Sequence, residues 1–329
     1  MVNLEDSETA HDPSTMLSPR PVIVVGSDLA GLSVAYEALQ AGARVHMLDC
    51  APKPGGNSIK ASLGINGAYA PPGRFRLSSS AEVVSLSVRD DAITGVWYVQ
   101  DRQTHDLDGA IVFAAGGFAG DATGLLAKYR PDLAALPSTN DDRPGSHSLL
   151  EAVGVELVDM TSVQVHPTGF VDPKDPATRY KFLAAEALRA DKRFVNELDT
   201  REKVSEAIMN MPHSRDSSDS SRQWDVTLLM DPGACEATAG HLGFYVWKGL
   251  MQKKKVGDLN PAAIAAGRDG SFGRVNFGHW RIPAGEATRE EEVCVGKVTP
   301  VTHFTLGGAA FNDNTSAPVT PNFRGSGQL

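Results

Sequence analysis

Two sets of residues in this 329-residue chain have types that could do chemistry. One is the run Gly26-Ser27-Asp28-Leu29-Ala30-Gly31, followed 23 residues after its first glycine by Asp49. Between a strand and a helix, such a turn presents backbone N–H groups to a pyrophosphate, and an acid at the end of the next strand accepts from a ribose hydroxyl. The pattern points to a dinucleotide. It departs at its second glycine, which is Asp28. That glycine normally lets the backbone approach the pyrophosphate, and an ionised carboxylate about 4 Å from a phosphate oxygen would meet roughly 4 kcal/mol of repulsion at an effective dielectric of about 20. The other residues are dispersed and only their types suggest chemistry, since no spacing of their own groups them: His166, the pair Glu186 and Arg189, Arg201 and His303. By type alone each has a plain structural reading: a satisfied histidine, a surface ion pair worth little, a solvated arginine.

The elements that must position these residues are legible around them. Val22–Val25 is a continuous apolar run bounded by Pro21 and Gly26, the pattern of a buried parallel strand. Leu32, Ala35, Tyr36 and Leu39 recur at helical spacing, and Gly42 stands where the helix should stop. Arg44–Leu48 is a second strand ending in Asp49. Val83–Val88 and Ile93–Val99 alternate around Asp90-Asp91 and predict a β-hairpin. Ala110–Gly117 reads as an apolar strand running into two glycines, and a helix is expected over Ser148–Val153. His166 follows an alternating segment. Phe182–Arg189 reads as a helix with Glu186 and Arg189 at i, i+3 on one face. Met209–Arg222 predicts a flexible surface loop, Val226–Asp231 a strand, and Lys253–Lys255 a solvated helix end.

The formal net charge of −9 gives no reason to expect a nucleic-acid partner. No apolar run approaches a membrane span, and residues 1–20 are acidic and polar, unlike a signal or transit peptide. They predict a disordered arm and a cytoplasmic chain. The cysteines, Cys50, Cys235 and Cys294, are unclustered in sequence, which suggests a reducing compartment and no metal site.

The run Gly55-Gly56-Asn57-Ser58, continuing through Lys60-Ala61-Ser62 to Gly64-Ile65-Asn66-Gly67, resembles the flavin-binding segment of soluble FAD-dependent fumarate reductases, relatives of the succinate dehydrogenase flavoprotein. Ala110–Gly117, Lys128–Leu133, Pro137–Asn140, VQVHPTGF around His166, FLAAEALR, KRFVNELDTRE and VTPVTHFTLGG around His303 are similar to that family too. The resemblance covers most of Pro21–Phe311. It implies an α/β fold: a Rossmann-like FAD-binding domain, residues 21–160, with an inserted α+β substrate or capping domain, residues 161–304, and a remnant of the FAD domain with a tail, 305–329. A long helical stretch of the family has no counterpart near residues 69–76, Ala190-Asp191 replaces a glycine-rich hairpin, and the family's C-terminal flavin and substrate segments have no match. Pro144–His147 stands where the family has a Gly-Asp-Gly turn against the cofactor.

The implied reaction is reduction of fumarate to succinate, with hydride from FAD and a proton delivered to the neighbouring carbon. The resemblance assigns the proton to Arg201, a poor acid on its own pKa, with Glu186 and Arg189 as the relay that reprotonates it. His166 and His303 would hold substrate carboxylates. Gly26, Ala30, Gly31, Asp49, Gly55, Gly56, Asn57, Ser58, Gly64, Gly116 and Gly117 would line the cofactor. FAD would be non-covalent, because the segment that carries a linking histidine in membrane-bound relatives reads KASLGING here. The electron donor is not legible. Two other readings stand beside this one: a non-catalytic remnant that does not retain FAD, and a related flavin enzyme acting on another alkene acid or a ketosteroid.

Overall fold

The computed structural model describes residues 20–60, 73–90, 92–184, 195–196, 199–259 and 289–311. Gly64, Glu186 and Arg189 lie outside the described residues. The described chain divides into two compact units, one ending at Ala115 and the other beginning at Gly116.

The first unit is built around β1, Val22–Val25, which leads through Asp28 into α1, Leu29–Gln40, and on to β2, Val45–Leu48. With β3, Phe75–Ser78, and β7, Ala110–Phe113, these strands form a wholly parallel sheet in the order β3-β2-β1-β7. Side chains alternate across a strand, so β1 serves two layers. Val24 packs on one face with Ala35 and Leu39 of α1 and with Val45 and Met47. Ile23 and Val25 pack on the other with Leu48, Ala81, Val96 and Tyr98. Burial on both faces is why Val22–Val25 is apolar throughout. The second face is covered by an antiparallel sheet of β4, Glu82–Arg89, β5, Ala92–Gln100, and β6, Gln103–Asp108. The expected hairpin is therefore there, extended by a third strand. That strand, QTHDLD, is polar and carries no apolar alternation to announce it.

In the second unit come α2, Leu125–Tyr129, α3, His147–Glu151, β8, Leu157–Val158, β9, Val163–Phe170, β10, Phe182–Leu183, and α4, Arg201–Met209. They are followed by β11, Val226–Met230, α5, Pro232–Ala237, α6, Ala239–Lys248, β12, Gln252–Lys255, β13, Glu292–Thr305, and β14, Gly308–Ala309. An antiparallel sheet in the order β10-β9-β13-β11, with β12 also on β13, carries the core. Residues 116–160, grouped by sequence with the cofactor domain, pack here. Phe118, Leu125, Leu126, Leu133, Leu136 and Met160 join Phe170, Leu228 and Cys294 in one apolar cluster. The 305–311 stretch does likewise, since β14 pairs with β8. No helix among the described residues is long and apolar enough to cross a membrane.

Two stretches expected to be helical are strands where they are described: Phe182–Leu183, the start of the expected Phe182–Arg189 helix, whose residues 185–189 lie outside the described residues, and Lys253–Lys255. Phe182 and Leu183 pair with Phe170 and Gly169, and Ala184 N donates to Thr168 O at 2.9 Å, so sheet pairing outweighs the helical preference of this run. Lys253–Lys255 pairs with Cys294, Val293 and Glu292 of β13. Its lysines face solvent along an edge strand, with Lys253 Nζ 2.6 Å from Glu292, an arrangement that discourages further strand pairing. The serine-rich segment after α4 is tied down by its own hydroxyls: Ser214, Ser221 and Gln223 are buried, and Ser217 Oγ accepts from Gln223 N at 3.1 Å.

Glycines separate by what surrounds them. A Cβ on Gly31 would lie 2.1 Å from Gly26 O, where α1 crosses the turn, whereas a Cβ on Gly243 in α6 meets nothing within 4 Å among the described residues. Gly31→Ala is expected to lower stability by about 1–3 kcal/mol, and Gly243→Ala to raise it by roughly 0.5–1 kcal/mol through helix propensity. Thermal unfolding of both variants checks this, and an unchanged melting temperature for Gly31→Ala would count against the close packing of α1 on the turn.

Candidate active site

The sequence-predicted residues that are described are divided between the two units. In the first unit Gly26 has φ 105°, and a Cβ there would lie 2.4 Å from Ala114 O. Together with Gly31 it keeps the tight strand-to-helix turn of a dinucleotide site. Ala30 is exposed in the first turn of α1. Asp49 is buried at the end of β2. Its Oδ2 accepts from Ser27 N at 3.0 Å and from Ser27 Oγ, and its Oδ1 from Ala51 N at 2.7 Å. The carboxylate expected on a ribose thus already serves three protein donors.

The loop Gly55–Ser58 folds back onto the turn. Gly55 N donates to Ser27 Oγ at 2.7 Å. Asp28 caps α1: its Oδ1 accepts from Leu29 N at 2.5 Å and from Ser58 Oγ, and its Oδ2 accepts from Asn57 N at 3.2 Å. Gly56 sits against it, because a Cβ there would come within 2.9 Å of the Asp28 Cβ. The first-turn N–H and the loop N–H that would meet a phosphate are taken by the chain's own carboxylate. In this conformation the turn does not fit the pyrophosphate of FAD. Gly116, with φ 75°, and Gly117 begin the second unit, where a Cβ on Gly117 would lie 2.0 Å from Thr305 Oγ1.

In the second unit His166, His303 and Arg201 come together. His166 lies on β9 and His303 on β13, and the two strands pair with two register shifts. Thr299 faces Gly169 and Val301 faces His166, so Pro300 opposes both Pro167 and Thr168. Neither proline has an N–H to give the ladder. Thr302 then faces Val165 and Phe304 faces Gln164, which leaves His303 as the extra residue of a bulge. Bulges re-aim side chains beside functional sites. The imidazoles stand 5.4 Å apart, edge to face at 81°. The bulge backbone is held by Asn140 Nδ2, which donates to His303 O at 3.0 Å.

Arg201 opens α4, capped by Thr200, whose side chain accepts from Lys203 N. Val204, Ser205 and Ile208 form the buried side of the helix, and Ser205 Oγ donates to Val165 O at 3.4 Å. The arginine is exposed and donates from Nη1 to Gln164 Oε1 at 3.1 Å. Burial, then the charge of Arg201, then His303 push His166 down to about 3. Burial and Arg201 push His303 down to about 4. Both rings are neutral at physiological pH. Thr168 N donates to His166 Nδ1 at 3.3 Å, and Thr168 Oγ1 lies 3.1 Å from the same nitrogen. An acceptor at Nδ1 puts the proton of His166 on Nε2, so that the ring offers a donor. His303 Nδ1 is buried with no partner among the described residues. The cluster is one fixed cation and two neutral imidazoles, a setting for an anion with more than one acceptor.

Sequence reasoning missed Gln164, Thr168 and Asn140, which hold Arg201, His166 and His303 in turn. The two-residue spacing of His166 and Thr168 was a signal for the first contact between ring and backbone. His147 is buried, packs edge to face on Phe118 at 5.4 Å and is lowered by burial, so it belongs to the core of the second unit.

His46, buried and pushed down to about 4, adds a third neutral imidazole in the first unit. The unfolded chain binds protons at these histidines below about 6.5, while the folded chain does so only near 3 to 4. Folded-state stability from this source is full above about pH 6.5 and is lost as pH falls from there toward 4. Urea unfolding midpoints are expected to drop between pH 7.5 and pH 5, and a flat or rising midpoint would contradict the buried neutral state of these rings.

Residues 72–328 match the family described as FAD binding domain, and residues 24–87 match an NAD(P)-binding Rossmann-like domain. The chain is 33% identical over 274 residues to fumarate reductase 1 of Saccharomyces cerevisiae, covering 74% of this chain and 57% of that one. It is 34% identical over 276 residues to the fumarate reductase of Schizosaccharomyces pombe, covering 73% of this chain and 50% of that one. The chain spans about half the length of these curated relatives. The open conformation of a flavocytochrome c3 fumarate reductase shares the fold, with a TM-score of 0.65 at 19% identity over 92% of this chain and 72% of that chain. With the family pattern running through most of its length and the strand–turn–helix of a dinucleotide site preserved in its backbone, this chain belongs to the FAD binding domain family of oxidoreductases, as a relative of the fumarate reductases.

Proposed function

We propose that the second unit binds a four-carbon dicarboxylate, fumarate or succinate, as the substrate half of an FAD-dependent fumarate reductase. The observation that carries the reading is the convergence of Arg201 with two neutral imidazoles on the bulged β9–β13 pairing. Two carboxylates need at least two separate donor groups, and a dianion needs a cation among them. His166 offers Nε2–H, and Arg201 the guanidinium. The names of the yeast relatives agree with that substrate.

Reduction of fumarate adds a hydride to one alkene carbon and a proton to the next. Arg201 is the group we assign to the proton. Glu186 and Arg189 are assigned to its reprotonation. Hydride delivery belongs to FAD in this family reading, and the Asp28 contacts at the dinucleotide turn favour a second reading in which the purified chain binds dicarboxylate with little or no turnover.

Isothermal titration with succinate and malonate tests the substrate reading. Binding is expected for the full chain, and Arg201→Ala should weaken it roughly ten- to a hundredfold, as loss of a charged hydrogen bond worth about 1.5–3 kcal/mol would. Titrations that show no binding, or equal affinity in Arg201→Ala, would remove the dicarboxylate reading. The visible spectrum of the desalted protein, with and without added FAD, separates the two readings: a flavin band near one FAD per chain together with fumarate reduction supports the reductase, and its absence supports binding alone.

A further inference from the structure

We propose that Asp28 is an internal ligand of the dinucleotide turn. Its carboxylate takes the place of a pyrophosphate at the start of α1 and latches the Gly55–Ser58 loop over it, so that a dinucleotide enters only when the latch is broken. The inference rests on the family reading in naming FAD as the excluded group.

The turn keeps the backbone of a dinucleotide site. Gly26 and Gly31 stand where any side chain would collide with backbone, at 2.4 Å from Ala114 O and 2.1 Å from Gly26 O. The middle position of the pattern has changed, and the new side chain does not point away. It accepts from the first-turn amide of α1, Leu29 N, at 2.5 Å, from the loop amide Asn57 N at 3.2 Å, and from the Ser58 hydroxyl. Amides at a helix N-terminus, loop amides and hydroxyls are the donors that phosphate oxygens use, and an anionic oxygen already there competes for each of them.

The loop has closed as well. Gly56, at φ 50°, approaches Asp28 so nearly that a Cβ on it would lie 2.9 Å from the Asp28 carboxylate. A second stitch runs beside the first, from Gly55 N to Ser27 Oγ and from Ser27 to Asp49. Side chains from three consecutive segments of the motif, the turn, the end of β2 and the glycine loop, are thus spent on one another.

Titration calorimetry of the desalted full chain with ADP, adenosine and FAD tests the latch, using wild type, Asp28→Gly and Asp28→Ser. Serine keeps an N-cap hydroxyl of similar rank, so Asp28→Ser holds α1 even if glycine loosens it. Both variants are expected to bind ADP at least tenfold more tightly than wild type, with adenosine, which carries no phosphate, unchanged. Equal ADP affinity in all three proteins, including no binding in any, would overturn the proposal, as would a gain for adenosine as large as that for ADP. A gain for ADP without a gain for FAD would uphold the latch and count against the flavin reading. Succinate titrated into the same samples reports the second unit separately and is expected to be unchanged by either variant.

Discussion

The pairing of β9 with β13 is the constraint on which the second unit depends. The strands run in one register on either side of the irregular stretch, Val298 against Phe170 and Thr305 against Val163. Between these, the chain slips by one residue at Pro300 and slips back at His303. Because the two shifts are opposite in sense, the sheet closes normally at both ends and its core face is kept. A single uncompensated slip would have turned every following side chain to the other face. The cost of two interrupted ladder positions is confined to the place where the histidines stand.

That geometry also decides the electrostatics. His166 is held by Thr168, two residues along the same strand, and His303 by the backbone tie to Asn140. Arg201 comes from a separate helix and reaches Gln164, one strand position beyond Val165. Burial makes the two imidazoles hard to protonate, and the charge of Arg201 depresses them further. Together these arrangements leave donor groups beside a positive charge that has no carboxylate partner among the described residues. Sites that break local rules in this way are where binding and catalysis are expected.

The first unit resolves the opposite conflict in favour of the fold. An acid at the N-cap of α1 is a good local choice, worth about 1 kcal/mol to a helix. In most strand–turn–helix connections it would attract no notice. Here the same amide is the one a dinucleotide needs, so a gain for the isolated helix is a loss for the ligand. Gly26 and Gly31, on either side of Asp28, keep the tight turn while the acid occupies it.

Much of the fold was legible because its signals are local. The apolar run Val22–Val25, the helical spacing from Leu32 to Leu39 and the acid Asp49 are properties of a few adjacent residues, and the elements formed where the pattern put them. The obstruction at Asp28 was legible as well, since one residue occupies one position of a motif. What tertiary structure decided was every relation between distant segments. Phe182 and Leu183 became a strand because Phe170 and Gly169 were there to pair with them, and Lys253–Lys255 because β13 had a free edge. The bulge at His303 exists only when β9 is opposite it, and the closure of Ser58 and Asn57 on Asp28 only when a loop folds back across the turn. Sequence by itself determined which residues were able to act, because type and spacing are written in the chain. Which of them meet, and in which protonation state, depended on burial and on partners far away in sequence, and those exist only once the chain has folded.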